Sequence, residues 1–167
     1  PKVDIQIKNV HGKEDTLITI QIDFQLAERF GMTYVDAEGQ TKYPYVIHRT
    51  SIGCYERTLA LLLEKYAGAL PTWLMPEQVR VLPISDRLID DAKKVEAFLS
   101  RAGIRVSCDT RSEKVGYKIR EAQLEKIPYM LVIGDKEVEE GTVSVRSRKD
   151  GDLGSMPVES FLSKILQ

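Results

Sequence analysis

The segment ALPTWLMPEQ, at residues 69–78, separates two stretches of chain with different hydrophobic periods. Before it, VDIQIK and ITIQIDFQ alternate apolar and polar residues, a pattern typical of half-buried strands. The polar NVHGKEDT between them predicts an antiparallel hairpin, and YPYVIH predicts a third strand. Because Pro71 and Pro76 restrict the backbone on both sides of Trp73, we expect a domain boundary here, with domains at 1–76 and 77–167.

The stretch after the prolines alternates strands with helices. We predict strands at QVRVLPI, IRVSCDT, PYMLVIG and TVSVRSR, and helices at 88–102, EKVGYKIREAQLEKI and VESFLSKILQ. The charged DKEVEEG is predicted to be a turn. This order favours an α/β domain with a mixed sheet flanked by helices.

The first stretch predicts an antiparallel sheet followed by a helix from Tyr55 to Tyr66. The TLALLL centre of this helix is apolar almost all round, which predicts burial between layers. The fold class is therefore α+β before the prolines and α/β after them.

Composition excludes some function classes. The formal net charge of -1 argues against a protein that holds nucleic acid through a broad positive field, so any such contact has to be local. The chain lacks an apolar run of about 18 residues, and PKVDIQIKNV does not resemble a signal peptide. We therefore expect a cytoplasmic protein with no membrane partner.

Several side chains of the first half are candidates for chemistry. Arg57 stands at the start of a helix, where a cation opposes the macrodipole, so it calls for an anionic partner such as a phosphate. His48 is open to two interpretations, since a zinc site needs three or four ligands and no diagnostic spacing accompanies it. For Cys54, packing is favoured over a nucleophilic role because no base and orienting group accompany it.

The second half offers groups that can read unpaired bases. Tyr117 with Arg120, and Arg146 with Arg148, supply an aromatic ring and bidentate donors. A solvated surface is the alternative that the residues alone leave open.

Longer segments of the chain resemble one family throughout. They are PKVDIQ, TIQIDFQLAERF, YVIHRTSIGCYER, YAGALPTWLMPEQV, AGIRVSCDTRSEKVGYKIREAQLEKIPYMLVIGDKEVE and KDGDLGSM. Together they resemble the C-terminal part of bacterial-type threonyl-tRNA synthetases, and IGCYER resembles motif 3 of the class II synthetases. The resemblance implies an incomplete antiparallel class II catalytic sheet at 1–76 and an anticodon-binding domain at 77–167.

The resemblance also implies roles in the catalytic half. Arg57 would bind ATP and counter its phosphate charge, and Gln21 and Lys2 would line the threonine and adenylate pocket. His48 would be one ligand of a zinc ion that binds the amino and hydroxyl groups of threonine and so rejects valine. Thr16 departs from the glutamine that some family members carry near ATP.

In the other half, the resemblance implies that Arg120, Glu137 and Arg146 read the second and third anticodon bases, with Arg146 suited to guanine. Ser112 departs from a frequent asparagine. The parent would be a homodimeric ligase that uses ATP, Mg²⁺ and zinc to join threonine to tRNA(Thr), while the fragment alone would be inactive. A stand-alone RNA-binding module and a prolyl- or glycyl-type synthetase are the alternatives.

Overall fold

A computed structural model describes residues 1–166. The chain forms two compact units, one from Pro1 to Gly68 and the other from Ala69 onward. The residues of the proline segment pack with the second unit: Gln78 Nε2 donates to Thr72 O at 3.0 Å, and Arg105 Nε donates to Met75 O at 2.9 Å. No helix in the described range has the length and apolar character needed to span a bilayer.

The first unit is built on an antiparallel sheet. Its elements are β1 (Lys2–Lys8), β2 (Glu14–Asp23), α1 (Leu26–Arg29), β3 (Tyr34–Val35), β4 (Thr41–Lys42), β5 (Val46–Arg49) and α2 (Tyr55–Tyr66). The order of the main sheet is β1-β2-β5, and β3 pairs with β4 in a small separate hairpin. The structure confirms the predicted hairpin, whose register shifts at a bulge between Ile5 and Gln6.

The helix α2 has the predicted bounds, but the prediction that it is buried between layers is wrong. None of its residues is buried, and Leu59 is 53% exposed. The apolar side of the sheet is also open, since Ile20 and Ile47 are exposed. Hydropathy indicates which surface of a helix or sheet can be buried. In this unit, the described residues leave that apolar surface exposed to solvent.

The second unit is a five-stranded mixed sheet with helices on both faces. Its elements are β6 (Val79–Pro83), α3 (Ile89–Arg101), β7 (Val106–Cys108), α4 (Val115–Leu124), β8 (Tyr129–Ile133), α5 (Asp135–Glu140), β9 (Thr142–Ser147), β10 (Gly151–Pro157) and α6 (Val158–Ile165). The strand order is β10-β9-β8-β6-β7. The strand β6 is parallel to β7 and β8, and the remaining pairs are antiparallel, which confirms the mixed sheet.

Two hydrophobic clusters hold this unit together, one on each face of the sheet. On one face, Ala92 and Leu99 of α3 and Phe161 of α6 pack against strand residues such as Val79 and Val145. On the other face, Ala122 of α4 packs with Leu82 and Met130. Arg146 is the cross-strand partner of Met130, so it lies on the face that α4 covers only in part.

In the second unit, two elements differ from the predictions. DKEVEEG is the short helix α5, because Glu137 accepts the backbone N–H of Gly134 and Gly141 ends the helix in a left-handed conformation. The strand β10 was not predicted, since its glycines and a bulge after Asp152 interrupt the alternation that marks a strand.

Candidate functional site

Three of the predicted catalytic-half residues form a row across the first sheet. Lys2 is the cross-strand partner of Gln21, and Gln21 is the partner of His48. Directly opposed residues share a face, so the structure brings Lys2, Gln21 and His48 onto one polar surface. Gln6 faces the same surface because it alternates with Lys2 and Asp4 along β1, and the extra residue of β2 at the bulge, Leu17, places Thr16 opposite Gln6.

Carboxylates order both ends of this row. Lys2 Nζ lies 3.0 Å from Asp4 Oδ2, and Thr19 Oγ1 donates to Asp4 Oδ1 at 2.8 Å. The Thr19 hydrogen bond and the Lys2 cation together lower the pKa of Asp4. At the other end, His48 Nε2 lies 3.6 Å from Asp23 Oδ2.

The pKa of Asp23 is lowered mainly by the backbone N–H groups of Gln25 and Leu26, with a smaller effect of His48. Within residues 1–166, no three histidine, cysteine, aspartate or glutamate side chains cluster closely enough to hold a metal ion. Among the described residues, His48 therefore does not have the two or three further ligands that a zinc site requires.

Arg57 is placed by the loop that follows β5. Thr50 N donates to Thr19 O at 3.0 Å, so this loop continues along β2 after β5 has ended. Gly53 has a φ of +75°, and a Cβ atom there would collide with the carbonyl oxygen of Leu17, so only glycine fits this approach.

One helical turn later, Arg57 Nη1 donates to Thr16 O at 3.2 Å. Arg57 and Thr16 also line a small cavity of about 70 Å³ with Asp15 and Glu64. Thr16 is five residues from Gln21, a distance of about 17 Å along a strand. The structure therefore places Arg57 on the same sheet as the row of Lys2, Gln21 and His48, at a different position along β2.

The predicted anticodon-reading residues border one face of the second sheet. Arg146 Nη2 lies 3.6 Å from Asp152 Oδ2 on the neighbouring strand. Glu137 Oε1 accepts Ser155 Oγ at 3.4 Å, and Ser155 is the partner of Ser144 on β9. Arg120 is exposed on α4, the helix that packs over this face.

A second group of charged residues lies at the start of α4. Arg111 binds the buried Asp109 through two nitrogens and also contacts Glu121 at 2.5 Å. Tyr117 Oη donates to Glu121 at 2.6 Å, which raises the pKa of Tyr117. Lys118 is 2% exposed, and its Nζ donates to the carbonyl oxygens of Pro83 and Asp109. From this buried position, Lys118 connects the end of β6 with the residue that follows β7.

Arg148 differs from its neighbour Arg146. Its guanidinium donates to Lys126 O, Ala69 O and Leu70 O, at 2.5, 3.3 and 2.7 Å. Burial lowers the pKa of Arg148. The structure therefore gives three donors of Arg148 to backbone carbonyls, so this arginine connects separate segments of the second unit.

The antiparallel sheet with its glycine-dependent loop into α2, followed by a mixed α/β unit, defines the class as a class II synthetase core joined to an anticodon-binding domain. Residues 1–66 match the family "tRNA synthetase class II core domain (G, H, P, S and T)", and residues 78–167 match the family "Anticodon binding domain". The second match covers more than half of the chain, so the chain belongs to the anticodon-binding domain family.

Individual relatives carry a more specific name. The chain is 64% identical over 166 residues to the threonine–tRNA ligase of Clostridium perfringens (strain SM101 / Type A), which covers 99% of this chain and 26% of that protein. It is 60% identical over the same shares to the threonine–tRNA ligase of Clostridium botulinum (strain Eklund 17B / Type B). These matches confirm the resemblance to threonyl-tRNA synthetases, and the chain spans about a quarter of the length of these relatives.

A solved structure is similar throughout. The crystal structure of the RNA binding domain of threonyl-tRNA synthetase from Cryptosporidium parvum Iowa II matches with a TM-score of 0.89 and 38% identity. The match covers 99% of this chain and 42% of that one. The class and the fold predicted from the sequence are confirmed.

Proposed function

We propose that this chain is the motif 3 and anticodon-binding portion of a threonine–tRNA ligase. The parent protein would use ATP to form threonyl-adenylate and then transfer threonine to tRNA(Thr). The observation that supports this most strongly is the identity of 54–64% to threonine–tRNA ligases over 99% of the chain. In this proposal residues 1–76 belong to the catalytic core and residues 77–167 bind the anticodon.

Arg57 is proposed to bind the phosphates and adenine of ATP. A guanidinium has five N–H donors, and the hydrogen bond to Thr16 O uses only one of them, so others are available for a phosphate. Its cationic charge would offset the charge that develops as the threonine carboxylate attacks the α-phosphate, with Mg²⁺ on the phosphates as a further part of the proposal. Gln21 and Lys2 would line the amino-acid and adenylate pocket on the polar surface of this sheet.

His48 is proposed as a zinc ligand in the parent protein. Its position beside Asp23 leaves an imidazole on the polar surface next to Gln21, where a bound amino acid would lie. The described residues do not complete the site, so we derive no catalytic step from the metal. A homodimeric parent and a cytoplasmic location complete the proposal.

Arg120, Glu137 and Arg146 are proposed to read the second and third anticodon bases. Arginine presents two parallel donors to the O6 and N7 atoms of guanine, which makes Arg146 the candidate for a guanine. Such contacts use base edges more than phosphates, which agrees with a net charge of -1.

Binding to RNA tests this proposal. The purified chain is titrated with an anticodon stem-loop of tRNA(Thr) and with the same stem-loop in which adenine replaces the central guanine. We expect a preference for guanine of about 5- to 100-fold, because a bidentate contact discriminates by ~1–3 kcal/mol. Equal affinities would reject anticodon reading and leave a general RNA-binding module.

A second measurement addresses catalysis. We expect no threonine-dependent exchange of pyrophosphate into ATP, because this chain lacks a complete zinc site among its described residues. Exchange above the background of an Arg57→Ala control would contradict the proposal that the fragment alone is inactive. Exchange that depends on proline or glycine would favour the other synthetase types.

A further inference from the structure

The segment KDGDLGSM is part of the family resemblance, but none of its residues is among those proposed to bind ATP, threonine, zinc or bases. In the structure it forms the turn after β9 and most of β10. Gly151 and Gly154 have φ values of +77° and +75°, and the register of β10 against β9 shifts between Asp152 and Gly154. A bulge of this kind changes the direction of the side chains beside it.

Asp152 points at Arg146. Asp152 Oδ1 accepts the backbone N–H of Gly154 at 2.9 Å, which fixes the carboxylate within the bulge. Asp152 Oδ2 then lies 3.6 Å from Arg146 Nη2. One carboxylate therefore joins the bulge to the guanidinium proposed to read a base.

Ser155 makes the matching contact with Glu137. Its Oγ donates to Glu137 Oε1 at 3.4 Å, while Glu137 Oε2 accepts the N–H of Gly134. The two oxygens of Glu137 thus have one partner each, one of them from β10. Both proposed base-reading residues on this side of the sheet contact the same strand.

We expect these contacts to contribute little to the stability of the fold. The side chains of Arg146 and Asp152 are 42% and 58% exposed, and exposed ion pairs contribute little to stability. Such a pair restricts a long side chain to a few rotamers before a ligand binds. Since ordering a flexible arginine costs conformational entropy on binding, restricting it beforehand strengthens base recognition.

We propose that Asp152 and Ser155 are positioning residues, which orient Arg146 and Glu137 for base recognition. This inference rests on the proposed function. It predicts that loss of the Asp152 charge weakens the preference for guanine, whereas electrostatics alone predicts tighter binding to RNA. Removing a negative charge beside an RNA surface strengthens phosphate binding, whereas losing the orientation of Arg146 weakens guanine recognition.

The test uses Asp152→Asn, because asparagine keeps an oxygen for the Gly154 N–H and loses only the charge that holds Arg146. Affinities are measured for the guanine and adenine stem-loops at two salt concentrations. We expect the preference for guanine to fall by about 3- to 10-fold, with no loss of affinity for the adenine stem-loop. Ser155→Ala is expected to reduce discrimination only at the base that Glu137 reads.

Two controls make the outcome specific. Asp90→Asn removes one charge from α3, which packs on the opposite sheet face, and should leave the preference unchanged. In an Arg146→Lys background, Asp152→Asn should have no further effect on the preference for guanine. A loss of folded protein caused by Asp152→Asn would occur in both backgrounds, so comparing the two backgrounds separates it from an effect on Arg146. An equal loss in both backgrounds, or an unchanged preference in Asp152→Asn, would overturn the inference. A wild-type chain without any preference would instead overturn the proposed function.

Discussion

Arg148 holds the first residues of the second unit, at 69–70, through hydrogen bonds. Replacing Arg148 with methionine should release the segment 69–76, which these residues begin. The guanidinium donates to Ala69 O and Leu70 O, and also to Lys126 O in the loop before β8. Methionine has a similar length and no donors, so Arg148→Met leaves all three carbonyls without this partner.

The expected loss follows from these contacts. A hydrogen bond to a charged group contributes about 1.5–3 kcal/mol, but the 3.3 Å bond to Ala69 O is long and Arg148 is only half-buried. We therefore expect a loss of about 2–4 kcal/mol, which is below the simple sum for three such bonds. With a urea m-value of ~1.5 kcal/mol/M, the unfolding midpoint would fall by about 1.3–2.7 M.

The chain contains its own probe of this segment. Trp73 is the single tryptophan and lies within the segment, where its carbonyl oxygen accepts Arg105 Nη2 at 2.7 Å. In Arg148→Met, Trp73 fluorescence anisotropy should fall before urea is added, and amide exchange at 69–76 should accelerate. Lys149→Met is the matched control, because it removes the neighbouring cation from an exposed side chain. Equal midpoints for the two variants would refute the reasoning.

Two further predictions concern unfolding. The side-chain hydrogen bond from Arg111 lowers the pKa of Asp109 from its ordinary value of 3.8. The ionised Asp109 therefore stabilises the fold above pH 3.8, and this contribution is lost as the pH falls through the lowered pKa. Asp109→Asn should therefore destabilise the chain at pH 7 and flatten the fall in urea midpoint from pH 4 to pH 2; a slope equal to that of the wild type would contradict this. Gly53→Ala should lower the melting temperature more than Gly39→Ala, since both have a φ of +75° but only the first has a backbone carbonyl in the way, and equal losses would show that the close approach is unimportant.

Much of the fold could be predicted from local patterns. The alternation in VDIQIK and ITIQIDFQ was sufficient for the antiparallel pair, because side chains on a strand have a period of two. The helical spacing of Leu88 to Ala102 was sufficient for α3. Charge misled the interpretation of DKEVEEG, since six residues of which five are charged can form a short helix when Glu137 caps its start.

The catalytic-half site could be predicted only in part. Gln21 and His48 stand 27 positions apart in the sequence, and the pairing of β2 with β5 brings them side by side. Without the family resemblance, nothing near His48 distinguished it from a structural histidine. The position of Arg57 beside Thr16 depends on the path of the loop through Gly53, and local patterns do not specify such a path.

Arg146 and Arg148 show why residue type and spacing were insufficient for the RNA-side site. The two arginines are two residues apart, so the sequence presents them as equivalent donors at one strand end. Arg148 meets carbonyl oxygens of Leu70 and Lys126, which are far away in the sequence, and its donors are used there. Among the described residues, the polar partner of Arg146 is the carboxylate of Asp152 at 3.6 Å, and the arginine side chain stays 42% exposed. Whether an arginine can read a base is therefore decided by which distant groups already accept its hydrogen bonds, and a count of positive charges does not contain that information.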